Sequence, residues 1–197
     1  RKKILLRMCT SRISFRKTSS SALLAAASPP TAHAVMSKNR SIAIDPGYDR
    51  LGVAVFEGTT LVHSECFTPP KGAVPERLSA VFSRVTHLIK EYKPTTLAIE
   101  GLFFNKNQKT AIHVAEARGV ITVAAMQLGV SVYEYSPQAV KIAVTGSGNA
   151  AKDGVIKMVD RLLTLPKRRR LDDEYDAIAL GIAHTSNNPH LVPLRLK

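Results

Sequence analysis

The feature that most constrains this chain is a short apolar run that stops on an acid and turns at once. Ile42-Ala43-Ile44 leads into Asp45, and Pro46-Gly47 follows. Residues of that kind make a buried strand, and the Pro-Gly pair ends it, so the carboxylate stands at a sheet edge facing solvent or a ligand. One Asp there could equally cap a turn. The pattern recurs, however: Leu97-Ala98-Ile99 runs into Glu100 and Gly101. Asp173 and Asp176 then open a third apolar segment near the C-terminus. The rest of the chain reads as the scaffold that brings these acids together.

The spacing predicts three short strands at 42–44, 51–56 and 61–67, with turns at Asp49-Arg50 and Glu57-Gly58-Thr59, hence a meander. Pro75-Glu76 opens a helix with Leu78, Val81, Phe82, Val85, Leu88 and Ile89 at helical spacing, and Pro94 ends it. A fourth strand at 97–99 is apolar without alternation, as a central strand covered on both faces is. The segment 108–128 predicts a long helix, apolar on most sides and rich in small residues, so buried all round in the core or against a second copy. A fifth strand follows at 130–135. Ser136-Pro137 caps a helix to about residue 144, a further helix spans 151–163, and the last runs 173–185. A meander followed by alternating helix and strand is an α/β plan with a mixed five-stranded sheet flanked by helices. The domain is expected at 41–187, with a frayed tail at 188–197.

Of the 197 residues, 45% are hydrophobic, enough for a real core. The net charge of +13 is uneven: residues 1–40 hold nine Lys or Arg and no acid, which leaves only +4 for the remainder. Bulk charge therefore does not by itself mark a nucleic-acid binder. The segment 1–40 reads as a leader outside the fold. Its Arg, Ser and Ala content resembles a transit peptide, and Ala32-His33-Ala34 weakly mimics a cleavage site. The favoured reading is an upstream extension or a disordered stretch, since Met36 sits just before the first strand. Cys9 and Cys66 lie far apart and suit a reducing compartment rather than a disulfide framework. No apolar run reaches the length of a membrane span.

Acids gathered from separate segments repel one another, by about 4 kcal/mol for two charges at 4 Å at a surface-like dielectric. Protons, arginines or metal ions are the candidate compensators, and oxygen-only ligands favour Mg²⁺ or Mn²⁺ over zinc. Asp173 and Asp176 are three apart and share a helix face. Two ions about 3.5–4 Å apart could activate a water and stabilise the leaving oxygen of a phosphodiester. The plainer alternative for the last pair is an acidic first turn that suits the helix dipole, and Asp172 and Glu174 fit that description better. His184 is expected to be structural, and Asp49 and Glu116 to be turn or surface groups.

Five stretches then carry a resemblance: IDPG at 44–47, AIEGLFFNKN at 98–107, AEARGV at 115–120, VYEYSPQAVK at 132–141 and DEYDAIALGIAH at 173–184. In this order and spacing, the chain resembles the RuvC family of Holliday-junction resolvases over nearly all of 41–187. The resemblance implies a ribonuclease-H-like fold, a homodimer, and two-metal cleavage of symmetrically placed phosphodiesters in four-way DNA junctions. It implies that Asp45, Glu100, Asp173 and Asp176 are the catalytic, metal-binding acids, with two Mg²⁺ per subunit and Mn²⁺ able to substitute. Phe103 stands where the family carries an aromatic that stacks on bases, worth about 1–3 kcal/mol per base. Lys106 belongs to the same loop and, with Lys141 and Lys152, makes up the expected DNA contacts. The plain alternatives are a core ring for Phe103 and a solvated helix face for the two later lysines. The basic run Lys167-Arg168-Arg169-Arg170 lies outside the pattern and reads either as phosphate contacts or as a solvated loop. A bacterial cytoplasmic protein is implied, organelle import by the leader being the lesser alternative, and a RuvA/RuvB branch-migration complex stands as an open partner.

Two other classes compete. Sugar kinases and actin-like ATPases share the sheet plan and a strand-end Asp followed by Gly, but they need a second glycine-rich phosphate loop and a longer chain. A non-catalytic junction-binding module would be expected to lose one of the acids, and none is missing.

Overall fold

The computed structural model describes residues 39–102, 108–186 and 194–195. Phe103, Lys106 and nearly all of the expected leader lie outside the described residues. The first three strands are β1 (Arg40–Pro46), β2 (Leu51–Glu57) and β3 (Thr60–Phe67), paired antiparallel as the expected meander. Helix α1 (Val74–Tyr92) ends where Lys93 turns left-handed, φ 51°, ahead of Pro94. Strand β4 (Thr96–Glu100) lies parallel to β1. Helix α2 (Gln108–Gln127) then crosses to β5 (Ser131–Tyr135), parallel to β4. Three helices follow: α3 (Pro137–Thr145), α4 (Lys152–Leu162) and α5 (Asp172–Thr185). The Ser136 hydroxyl caps α3 by accepting from Ala139 N at 3.1 Å.

The sheet order is β3-β2-β1-β4-β5-β6, where β6 is Leu194–Arg195. All five expected strands are present, and a two-residue sixth from the segment after 187 is added to them. The outer edge of β5 would otherwise present unpaired backbone groups, and two tail residues pair with it antiparallel. A two-residue strand has too little length to show any periodicity, so no pattern announced it.

Alternation along each strand sorts residues between two helical layers. Ile42, Ile44, Val53, Val55, Leu97 and Ile99 face α1 and α2, meeting Val81, Val85, Leu88 and Ile121. Ala43, Ala54 and Ala98 face the other way, toward α5. These small residues let α5 lie close against the sheet. The approach is close enough that two glycines are required. A Cβ at Gly52 would stand 1.9 Å from the Asp173 carbonyl oxygen, and one at Gly181 would stand 2.1 Å from the Phe56 ring. The position of α5 over β1, β2 and β4 is therefore set by backbone contact as well as by side chains.

Helix α2 fits the second of its two expected settings, with one face left over for a second copy. Ala117, Ile121, Ala124 and Ala125 are buried, but Ile112, Val123 and Met126 are exposed. Within the chain it is buried on one side only.

Candidate active site

The register makes Ile44 and Ile99 neighbours on the parallel strands β1 and β4, so the next residues, Asp45 and Glu100, leave the sheet at one edge. Both side chains point to the face where α5 packs, because Ile44 and Ile99 take the other face. Helix α5 supplies Asp176 one turn before Leu180, which is buried against Ala43 and Ala98. Asp45, Glu100 and Asp176 therefore line one cavity of about 230 Å³. Its walls carry Lys141 and Lys152, and its floor is apolar, with Pro137, Val140, Val155, Ala179 and Leu180. Asp173 lies beside this cavity rather than on its lining. Its carboxylate meets Arg50 Nε at 2.9 Å, and Cys66 Sγ lies 4.0 Å from it. Lys152 Nζ stands 3.0 Å from Asp176 and 3.4 Å from Asp172.

The electrostatics follow from burial and crowding. Burial pushes the Asp45 carboxyl up to about 8, helped by the nearby charges of Glu100, Asp176 and Asp173. Burial also raises Glu100, and the charge of Asp176 adds to it. Burial raises Asp176 against the pull of Lys152. Burial and mutual repulsion thus disfavour the charged carboxylates even with Lys152 beside them. The all-oxygen donor set of Asp45, Glu100 and Asp176 suits a hard divalent cation rather than a soft one. Among the described residues no three His, Cys, Asp or Glu side chains already form a closed ligand group. The acids converge on a common space without closing on a point.

Other residues fall out as follows. His184 accepts or donates between Thr96 Oγ1 and Tyr135 Oη, each at 2.8 Å, at the far end of α5, and burial lowers it to about 4; it is structural. Asp49 pairs with Arg77 at 3.0 Å, and Glu116 with His113 at 2.9 Å. Three residues near the site were not singled out by sequence. Arg50 read only as a turn residue, Cys66 as a thiol far from Cys9, and Glu174 as an acid of the first helical turn suited to the dipole. Glu174 is in fact 2% exposed and takes a two-pronged bond from Arg168. Neither Arg168 nor Arg170 projects freely into solvent. The basic run therefore is not a uniform phosphate-binding patch: Arg170 is nearly buried and Arg168, though 44% exposed, is tied to Glu174, while Lys167 and Arg169 are exposed. No local signal in the sequence distinguishes them.

An antiparallel meander continued by two parallel strands, with acids at the ends of β1 and β4 and more on the last helix, defines a ribonuclease-H-like protein. Residues 41–184 match the family described as crossover junction endodeoxyribonuclease RuvC. Relatives include the RuvC enzymes of Moorella thermoacetica, 42% identical over 75% of this chain and 92% of that protein, and of Thermosipho melanesiensis, 44% identical over 71% and 92%. The structure of Thermus thermophilus RuvC in complex with a Holliday junction superposes with a TM-score of 0.71, at 33% identity, over 79% of this chain and 99% of that one. The yeast mitochondrial Holliday junction resolvase shares the fold alone, with a TM-score of 0.57 and 9% identity over 75% and 78% of the two chains. The chain belongs to the RuvC family.

Proposed function

We propose that this protein is a structure-specific endonuclease that nicks four-way DNA junctions at symmetric positions on two strands. The observation that carries the reading is the meeting of Asp45, Glu100 and Asp176 at one lysine-walled cavity, with Asp173 beside it. Those four acids are assigned to holding two Mg²⁺ per subunit, Mn²⁺ substituting. The bound cations supply an activated water and charge stabilisation at the phosphodiester. The chain's own residues do the rest. Glu100 and Asp45 are presented rigidly because both leave paired strands. Lys141 and Lys152 stand where a phosphate would approach, and Val140, Val155 and Leu180 give the cavity an apolar lining beside the acids. Phe103 and Lys106 are assigned to the junction by the family pattern. The working domain is assigned to 41–187, with 1–40 as a leader and 188–197 as a tail that lends a short strand, in a bacterial cytoplasm. The described residues include no helix long and apolar enough to cross a membrane.

Two symmetric cuts call for two sites related by a two-fold axis, hence a homodimer. Helix α2 supports this assignment. Ile112, Glu116, Gly119, Val123 and Met126 are exposed and recur at alternate spacings of four and three, so they make one stripe along the helix. Val123→Glu is expected to give a monomer in sedimentation at micromolar concentration; an unchanged dimer would refute this use of α2. A RuvA/RuvB-type complex remains a candidate loading partner.

The direct test is Asp45→Asn on a synthetic four-way junction, against linear duplex and fork controls, with and without Mg²⁺. Loss of an acid that holds the ion is expected to abolish Mg²⁺-dependent nicking while junction binding survives. Nicking at the normal rate would refute the assignment.

A further inference from the structure

We infer that Glu174 is a positioning residue for the ion-holding turn of α5, and that Arg168 and Arg170 of the basic run serve it rather than DNA. The inference rests on the assignment of Asp173 and Asp176 proposed above. Glu174 lies between those two acids in sequence but points away from the cavity, into the packing between α5 and β3. It is 2% exposed, a costly place for a carboxylate unless its oxygens are fully engaged. They are. Arg168 Nη1 donates to Oε2 at 2.9 Å and its Nη2 donates to Oε1, a planar fork on a planar acceptor. Ser64 Oγ donates to Oε1 at 2.6 Å. Arg170, with a side chain only 4% exposed, brings Nε to 3.4 Å from the same oxygen. The two arginines are themselves anchored. Arg168 Nη2 also donates to the Ser64 carbonyl at 3.0 Å, and Arg170 Nη1 donates to the Pro166 carbonyl at 3.0 Å. One carboxylate thus joins the edge strand β3, the loop before α5 and the first turn of α5.

That turn needs such a tie. Its N-cap is Leu171, which gives no side-chain cap. An uncapped first turn has free backbone N–H groups and frays readily. Asp173 is in that turn, and its carbonyl presses on Gly52 of β2. Small movements there would therefore carry the Asp173 carboxylate directly. Asp176, one turn deeper and packed beside Leu180, is held mainly by the core. Loosening Glu174 should thus act on ion holding through Asp173 more than through Asp176. It also gives Arg168 and Arg170 of the basic run a role that the junction-cutting reading leaves open.

The test is a Mn²⁺ binding isotherm by calorimetry on the full chain, without DNA, with thermal melts of the same samples. Glu174→Gln keeps the volume but removes the charge, and Arg168→Gln removes the fork. At a temperature where all are folded, each is expected to weaken Mn²⁺ about tenfold or more, the usual consequence of removing a group that orients a ligand. Hydrogen exchange of the amides at 172–175 should speed up in parallel. Isotherms equal to that of the unsubstituted protein, with only a lowered melting temperature, would overturn the inference and leave Glu174 a stability residue. Arg168, 44% exposed, decides the matter if Glu174→Gln does not fold. Asp173→Asn separates the two layers of argument: if it weakens Mn²⁺ while the Glu174 and Arg168 variants do not, only this inference fails. If Asp173→Asn has no effect either, the assignment of the acids fails with it.

Discussion

At the scale of single residues, the same helix carries ionisable groups with opposite fates. Near its start, Asp176 is one of several carboxyls forced together. At its end, His184 is held neutral between Thr96 and Tyr135. Burial lowers His184 from 6.5 to about 4, so between those values the unfolded chain binds a proton that the folded chain refuses. Its contribution to stability is fully present above about pH 6.5 and is lost as pH falls toward 4, by about 3 kcal/mol in all. His184→Gln should therefore flatten the difference in denaturant stability between pH 7 and pH 4.5; an unchanged difference would show that His184 is already charged in the fold. Asp45 and Glu100 were legible as residues that would line a common cavity because a strand end and a glycine mark them locally. Arg50, Cys66 and Glu174 were not, because their importance comes from what lies across the fold.

At the scale of elements, α5 is the part on which the site depends. It meets the sheet through alanines and through two glycines where a side chain would collide with backbone or ring. Gly181→Ala puts a methyl into the Phe56 ring and should cost about 1–3 kcal/mol, the usual range for overpacking. Phe56→Leu in the same chain should recover part of that loss, measured as a coupling in a double-mutant cycle by urea unfolding. Simple addition of the two losses would mean that α5 shifts rather than presses. Helix boundaries were legible to within a residue or two because Pro75, Pro94, Pro137 and Pro166 punctuate them. The exposure of one face of α2 was not, since small and apolar residues lie all round that helix and periodicity alone does not say which side is covered.

At the scale of the whole molecule, charge is concentrated rather than general. Beyond residue 40 the net charge is only +4, and Lys141 and Lys152 stand at the cavity itself. Affinity for a junction should then rest on a few local phosphate contacts. Lys141→Ala is expected to weaken junction binding at all sequences alike and to reduce the slope of log affinity against log salt by about one. An unchanged slope would place Lys141 outside the phosphate contacts.

The sequence by itself determined the order of strands and helices, the two strand-end acids and the pair on the last helix, because each is written in a few neighbouring residues. Only the folded chain shows that Asp173 faces Arg50 while Asp176 faces Lys152, that Arg168 and Arg170 of the basic run pair with Glu174, and that residues 194–195 add a strand to the sheet. Those outcomes depend on which distant segments meet, and partners up to 110 residues apart in the chain leave no mark in any local window.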